Sequence, residues 1–327
     1  MKSILRHITT TSLMAVALLL AHLPSQAQTF PTRPLRIVIP NPPGVPNDII
    51  ARGLSQYLGP RIGQPIVVEN RAGADGAIGM EACARAAPDG YTMCFAAQGA
   101  IVVSAFLRSN LPYDPVRDFM PVIRMGFFDS GLAVHPSVAA ASFKELAESA
   151  RARPNGISWG VFSFNSSGNF YAEWLRKTQK LDFYVVPYKA PTTMLQALLT
   201  GEVQAGVQSL ASITRQLAGG KLRLLAVTSD ERLADYPNVP TFSELGIKLP
   251  LRGWIGIVGP SGMPRDTTQW INTEIGKLAM QPEFRERMLA PNGVLFVPNT
   301  ADEFAAFLKA NREGFAELLR FVPVKAE

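Results

Sequence analysis

The sequence predicts an α/β protein with two lobes. Short apolar, β-rich runs alternate with helical stretches along the chain, which is typical of this class. Two strand–turn–helix units, at 35–50 and 157–175, resemble each other. About 300 residues remain after the first 27, which is enough for one large or two medium domains.

The first 27 residues are typical of an export signal. Lys2 and Arg6 supply a positive start, 13–20 is an apolar run, and 25–27 is a small-x-small cleavage site. The alternative is a membrane anchor, but the apolar run is shorter than the ~20 residues that span a bilayer. We therefore expect an exported protein that is soluble once the signal is removed.

The elements follow from the alternation of apolar periodicity and turn residues. Strands are predicted at 35–40, 65–69, 91–97, 132–135, 157–161, 183–187, 203–207, 222–228 and 254–258. Helices are predicted at 47–58, 76–86, 142–153, 166–178, 192–199, 266–279 and 301–319. The last helix has one apolar side, which indicates docking onto the protein.

The charge balance excludes one class of partner. The chain has 32 Lys and Arg against 26 Asp and Glu, a net charge of +6. No dense basic run accompanies this surplus, which argues against nucleic-acid binding. The surplus is compatible with an acidic ligand.

Cys83 and Cys94 are the two cysteines of the chain. Cys83 falls on a predicted helix and Cys94 on the next strand, across a turn at 88–90. Folding back about that turn would bring the thiols together, and export permits their oxidation. The alternative is two buried small apolar side chains. Two cysteines are too few ligands to favour zinc.

Two glycine- and proline-rich turns each follow a strand and open a helix, at 41–46 and 71–76. Helix N-termini carry unpaired N–H groups and a partial positive charge, so such turns suit an anion. In the second lobe the turn at 163–169 offers Ser166 and Ser167 as N-caps, and Phe164 within it is the best candidate to touch a ligand. The alternative is a well-capped helix without a ligand.

Catalytic and nucleotide-binding motifs are lacking. Gly73, Gly76 and Gly79 miss the central glycine of the dinucleotide fingerprint, so a tight turn before a helix is the better interpretation. No G-x-S-x-G, S-x-x-K or H-E-x-x-H motif is present, and His135 is the only histidine after the signal. We predict no catalytic residue, no cofactor and no metal.

Scattered polar residues carry less information. The sequence pairs none of Asp129, Asp182 and Glu202 with another group. Tyr188 follows the strand at 183–187, and strand ends are where α/β sheets bind ligands. The alternative interpretation is that Tyr188 lies on the rim of the lobe and contacts no ligand.

Eight segments in order along the chain carry a family resemblance: IVIPNPPGVPNDIIAR, GQPIVVENRAGADGAIG, AAPDGYT, LPYDPVRDFMPV, VVPYKA, LLTGEVQAGV, GKLRLLAVTS and YPNVPTFSELG. Together they make the chain similar to the solute receptors of tripartite tricarboxylate transporters, the Bug-type periplasmic binding proteins.

The resemblance implies a type II-like periplasmic binding protein with a mixed sheet flanked by helices in each lobe and a cleft between the lobes. It implies that lobe 1 comprises 28–128 and 229–327, and that lobe 2 comprises 129–228. It also implies a monomeric, non-enzymatic periplasmic receptor. Such a receptor closes on a small carboxylate and delivers it to the membrane subunits of a transporter.

The resemblance also implies a set of ligand contacts in both lobes. These are Asn41, Gly44, Val45, Pro46, Asn47, Asp48, Gln98, Gly99, Ala100, Phe164, Ser166, Ser167, Gly168, Asn169, Tyr188 and Gln208. The chain departs from the family pattern in three ways. Asn41 replaces the usual phenylalanine, and Gln208 replaces an aspartate that many relatives carry. The usual glycine triplet becomes Gly44-Val45-Pro46, in which Pro46 has no N–H to donate.

These departures, with Phe164 and either Phe127 or Phe128 near the cleft, favour an aromatic mono- or dicarboxylate such as terephthalate over an amino acid. The alternative ligand is an aliphatic dicarboxylate or citrate. The alternative functions are an exported carboxylate-processing enzyme and a receptor that feeds a sensor kinase.

Overall fold

The computed structural model describes residues 30–162, 166–249 and 251–320, so the export signal predicted at 1–27 lies outside this range. From Arg33 onward the chain forms one compact unit with two β-sheets. The strands are β1 (Leu35–Ile39), β2 (Ile66–Asn70), β3 (Thr92–Ala97), β4 (Phe119–Phe128), β5 (Ser130–Val134), β6 (Ser158–Val161), β7 (Tyr184–Pro187), β8 (Ala205–Ser209), β9 (Arg223–Val227), β10 (Trp254–Pro260) and β11 (Val294–Leu295).

Both sheets mix parallel and antiparallel pairs. The first has the order β11-β4-β10-β3-β1-β2, with β1 parallel to β2 and β3, and β10 antiparallel to β3 and β4. The second has the order β7-β6-β8-β5-β9, with β6 parallel to β7 and β8, and β5 antiparallel to β8 and β9. The predicted two-lobed α/β fold with a mixed sheet in each lobe is confirmed.

Helices flank both sheets. Apart from short helical turns, they are α1 (Pro46–Ile62), α2 (Ala77–Ala84), α3 (Phe143–Ala152), α4 (Ser167–Gln179), α5 (Pro191–Thr200), α6 (Leu210–Ala218), α7 (Arg265–Ala279) and α8 (Ala301–Leu319). Helix α8 begins with a reciprocal cap, in which Glu303 N–H donates to Thr300 Oγ1 and Thr300 N–H donates to Glu303 Oε2. None of the described helices is both long and apolar enough to cross a membrane.

The chain passes between the sheets twice. Asp129 alone separates β4 from β5, and the chain returns between β9 and β10. The two crossings run side by side, because Phe128 N–H donates to Gly253 O at 2.8 Å and Thr228 N–H donates to Ser130 O at 2.9 Å. The first sheet is therefore built from two separate stretches of chain. The lobe boundaries at 128/129 and 228/229 stay predictions.

Of the strands and helices named above, β4, β11 and α6 were not predicted, and neither were the short helical turns at 99–107 and 282–289. Proline is rare inside strands, so Pro121 argues against a strand in this part of the sequence. The structure accommodates it next to a register shift between β4 and β10. Helix α6 follows β8 directly, so no turn separates the strand from the helix, and its N-cap residue Ser209 makes no side-chain cap hydrogen bond. The strand predicted at 203–207 lies at Ala205–Ser209 instead.

Cys83 on α2 and Cys94 on β3 form a disulfide, with their Cα atoms 6.1 Å apart. Neither residue exposes any surface. The bond ties α2 to the interior of the first sheet, of which β3 is a central strand.

Candidate functional site

The loop between β1 and α1 folds back on the first turn of the helix. Gly44 has a φ of +87°, a conformation that glycine adopts without steric cost. Its N–H donates to Asp48 Oδ2 at 2.9 Å, and the N–H groups of Asp48 and Ile49 both donate to Val45 O. Pro46 takes the first helical position, where its missing N–H costs no helical hydrogen bond.

Asp48 is the centre of a polar network beneath this loop, and its side chain is only 4% exposed. Arg52 Nε lies 3.1 Å from both carboxylate oxygens, and Asn70 Nδ2 donates to Oδ1 at 3.0 Å. Burial raises the pKa of Asp48, but the hydrogen bonds from Arg52, Gly44 and Asn70 outweigh burial and hold this pKa below its usual value. Both oxygens of this predicted ligand contact are thus bonded within the protein.

Asn41 is held at two points in the same loop. Its backbone oxygen accepts from Asn70 Nδ2 at 3.1 Å, and its side-chain oxygen accepts from Asn47 Nδ2 at 3.1 Å. Asn47 is buried and Asn41 is half-buried. The side-chain orientation of Asn41 is therefore fixed by its neighbours.

The second predicted group of the first lobe, Gln98–Ala100, follows the carboxyl end of β3. Gly99–Val103 forms a single wide π-helical turn, a feature that often marks functional positions. Ala100 O accepts from Tyr113 Oη at 2.8 Å and from Ser104 Oγ at 2.7 Å. These bonds anchor the turn to the body of the lobe.

A cavity of about 310 Å³ opens at the carboxyl ends of β1 and β3. Three predicted contacts line it, namely Asn41, Gly99 and Ala100. The remaining lining residues are mostly apolar: Pro40, Gly76, Ala97, Val103, Ser104, Leu107 and Arg108. The structure thus brings one residue of the first predicted group and two of the second to one cavity. The other predicted first-lobe contacts do not line it, namely Gly44, Val45, Pro46, Asn47, Asp48 and Gln98.

Arg108 is a cavity residue that the sequence did not indicate. Its Nη1 donates to Ala74 O at 3.2 Å, in the turn that leads into α2. It is half-buried and supplies positive charge at the cavity wall. A lone arginine at the end of an unpredicted helical turn carries no motif, so only the fold identifies it.

The spaced glycines before α2 have a packing role. Gly76 has a φ of +93°. A Cβ on Gly79 would lie 2.7 Å from Pro40 Cα and 2.8 Å from Arg71 O. Both glycines let α2 approach the end of β1 closely, as the interpretation of a tight turn before a helix requires.

The second-lobe turn lies at the start of α4. Ser166 Oγ accepts from Asn169 N–H at 3.4 Å, so the serine caps the helix, and both residues are buried. Ser167 is exposed at the first helical position, and Gly168 O accepts from Trp159 Nε1 at 3.1 Å. Phe164 lies outside the described residues.

Tyr188 and Gln208 both have partners within the second lobe. The Tyr188 hydroxyl donates to Glu202 Oε1 at 2.8 Å, and burial together with Glu202 raises the pKa of Tyr188 to about 12. Gln208 is 7% exposed, and its Nε2 contacts the sulfur of Met194. Tyr188 follows β7, Gln208 lies near the end of β8, and the Ser166 turn follows β6, so all three lie at the ends of strands of the second sheet.

One face of α8 contacts both halves of the predicted site. Asn311 Oδ1 accepts from Gln98 Nε2 at 3.1 Å and from Trp254 Nε1 at 3.0 Å. One helical turn later, the ring of Phe315 lies 5.4 Å from that of Phe170 near the start of α4. The apolar side of α8 therefore docks onto the protein, as predicted, and the helix contacts both lobes.

Asp129, at the first crossing, pairs with Arg252 at the second. Arg252 Nη2 lies 2.7 Å from Asp129 Oδ1, and Nη1 lies 2.6 Å from Asp230 Oδ2. Burial raises the pKa of Asp129, and Arg252 opposes this effect. The guanidinium also lies 3.8 Å from the Phe127 ring, which is 6% exposed. Of the two rings expected near the cleft, Phe127 is thus covered by Arg252, whereas Phe128 is half-buried and stays a prediction.

A larger cavity of about 630 Å³ lies between α8 and the segment that includes Asp230 and Arg252. None of the predicted contacts lines it, and Arg252 is already paired with two carboxylates. The described residues include no group of three or more His, Cys, Asp or Glu arranged to hold a metal ion. We therefore locate the candidate site at the smaller cavity.

Known proteins resemble this chain over most of its length. The model of the tripartite tricarboxylate transporter family receptor matches residues 50–319. BugT of Bordetella pertussis is 30% identical over 299 residues, 91% of this chain and 91% of that protein. Rpa4515 of R. palustris, solved with adipate, is 26% identical with a TM-score of 0.70, covering 90% of this chain and 98% of that one.

MatC of Rhodopseudomonas palustris, solved with bound malate, is also 26% identical, with a TM-score of 0.66. The match covers 89% of this chain and 98% of that one. The family match spans more than half of the chain, and the two mixed sheets agree with the fold of these solved neighbours. This chain belongs to the tripartite tricarboxylate transporter receptor family.

Proposed function

We propose that this protein is a periplasmic receptor that captures a small organic carboxylate between its lobes and delivers it to the membrane subunits of a tripartite tricarboxylate transporter. The observation that carries this proposal is the cavity at the carboxyl ends of β1 and β3. Ligands of open α/β sheets bind at such strand ends. Two family neighbours were solved with adipate and malate, both carboxylates.

The ligand that fits this proposal best is small. A volume of about 310 Å³ lies at the lower end of the range for ligand pockets. Of the aromatic and aliphatic acids that the sequence left open, the aliphatic dicarboxylate is now favoured. Phe127 is buried under Arg252, so stacking on an aromatic acid would depend on Phe128 or Phe164, and the two carboxylates solved with family neighbours are aliphatic.

Capture proceeds by hinge closure. The first lobe contributes Asn41 and the Gly99–Ala100 turn, and the second contributes the turn around Ser166. Tyr188 and Gln208 remain predicted contacts. A ligand that touches both lobes only in the closed form binds that form more tightly, so it shifts the population toward closure.

The test is a calorimetric titration of the purified protein with succinate, malate, adipate, citrate, glutamate, benzoate and terephthalate. We expect micromolar binding of at least one dicarboxylate and its recovery unchanged after incubation. A ligand at 100 times its dissociation constant also adds about 2.7 kcal/mol of stability, which thermal unfolding detects. Turnover of the acid, or no binding by any of them, would contradict the proposal.

Arg108→Gln tests whether the cavity is the site. Removing one charge-assisted interaction, worth roughly 1.5–3 kcal/mol, is expected to weaken binding of the tightest dicarboxylate about tenfold or more. Arg85→Gln is the matched control, because Arg85 makes an exposed ion pair with Glu81 away from the cavity. Equal affinities of the two variants would exclude this cavity.

A further inference from the structure

The loop between β1 and α1 has few backbone donors left for an anion. Pro42, Pro43 and Pro46 have no N–H group. Gly44 N–H is donated to Asp48 Oδ2 at 2.9 Å. Val45 and Asn47 also carry N–H groups, but neither residue lines the cavity, so a carboxylate there meets fewer backbone donors of this loop than a glycine-rich turn would offer.

A side chain in the same loop carries donors instead. Asn41 Oδ1 accepts from Asn47 Nδ2, and the backbone oxygen of Asn41 accepts from Asn70. With its oxygen occupied, the Asn41 carboxamide retains its two N–H donors. Among the described residues its nitrogen has no hydrogen-bond partner, and the residue lines the cavity.

We infer that the first lobe binds the ligand through the side-chain carboxamide of Asn41 and not through the backbone amides of the loop. This inference rests on the proposed function and deepens it. Because Asn47 and Asn70 hold Asn41 in place, its donors are oriented before the ligand arrives, which lowers the entropic cost of binding.

The chemistry of the group defines the ligand class. An amide nitrogen donates and does not accept, so it matches a carboxylate or carbonyl oxygen and opposes an ammonium group. The end of the ligand that enters the first lobe is therefore an acceptor. A dicarboxylate meets this requirement at either end, whereas an ω-amino acid meets it at only one.

Asn41→Asp tests the inference with minimal structural change. The aspartate keeps an oxygen to accept from Asn47 and replaces only the donor nitrogen with a charged acceptor. Succinate and adipate are titrated beside their ω-amino analogues, β-alanine and 6-aminohexanoate. We expect the diacids to bind between about tenfold and a hundredfold more weakly than to the wild type. The ratio of diacid affinity to ω-amino acid affinity should fall by at least the same factor.

Asn110→Asp, on an exposed residue close in sequence to the cavity turn, is the control and should leave both affinities unchanged. Asn41→Leu removes the donor without adding charge, and it should weaken the diacids without improving the ω-amino acids. If the wild type binds a diacid and Asn41→Asp binds it with the same affinity, the inference is overturned and the proposed function stands. Binding of another carboxylate by the wild type, with neither succinate nor adipate bound, would also overturn it. Absence of binding by every carboxylate would overturn the proposed function itself.

Discussion

The two halves of the proposed site are held in place by different kinds of contact. In the first lobe, Asp48 bonds to Asn70, 22 residues away, and to the backbone of Gly44. In the second lobe, Ser166 caps its own helix through Asn169, three residues away. The hydrogen bonds of the first half thus reach a distant strand, whereas the Ser166 turn combines a local cap with a bond from Trp159 Nε1 to Gly168 O. Changes in the first half should cost more stability.

The disulfide between Cys83 and Cys94 gives the largest expected difference between the lobes, because both cysteines lie in the first. Replacing both by serine relaxes a loop closed over a separation of 11 residues and should lower the free energy of unfolding by about 3 kcal/mol. Urea unfolding of the wild type with and without a reducing agent should show the same difference. Identical unfolding curves would contradict a stabilising role.

Asp48→Asn should have the next largest effect. The substitution removes the charge that Arg52 contacts and leaves buried donors without an acceptor, at a cost of about 1–3 kcal/mol. Asp266→Asn, at an exposed position in the first turn of α7, should change the free energy of unfolding by less than about 0.5 kcal/mol. Equal stability of the two variants would show that the network does not hold the loop.

Ser166→Ala and Ser167→Ala separate capping from ligand contact in the second lobe. Loss of the Ser166 cap should lower the free energy of unfolding by about 1 kcal/mol. Ser167 is exposed and does not cap, so its replacement should leave stability unchanged. Calorimetry should show that both variants bind the carboxylate more weakly. Unchanged affinity in both would remove this turn from the site.

The smallest effect concerns pH. The pKa of Asp48 lies below its usual value in the folded protein, so its ionised form is stabilised by folding. Its contribution to stability is present above the usual carboxyl pKa and is lost as the pH falls through the folded pKa. The stability difference between wild type and Asp48→Asn should therefore shrink on acidification. A difference that stays constant between neutral pH and pH 3 would contradict this assignment.

Strands that alternate with helices were predictable because each leaves a local pattern. The helix at Ala301–Leu319 begins with a capping residue and carries one apolar side, and its bounds agree with the prediction. Strand β4 was missed because Pro121 masks it, and only its pairing with β10 explains how the proline fits. Local patterns thus identified most elements, and tertiary contacts decided the exceptions.

The sequence could predict which turns form the site, but it could not predict the hydrogen bonds that their side chains make within the protein. The sequence led to Asn41, Gly99 and Ala100, which do line one cavity. It could not show that both oxygens of Asp48 are bonded within the protein, because one partner lies 22 residues away. Arg252 and Asp129 are 123 residues apart, so their pairing also required the fold.

Small-angle X-ray scattering tests the central claim, capture of a carboxylate between two lobes, most directly. The radius of gyration is measured without ligand and with a saturating concentration of the tightest-binding dicarboxylate. We expect a smaller radius with the ligand for the wild type, because bound acid favours the closed form. Identical scattering curves at a concentration that calorimetry shows to be saturating would contradict capture by closure.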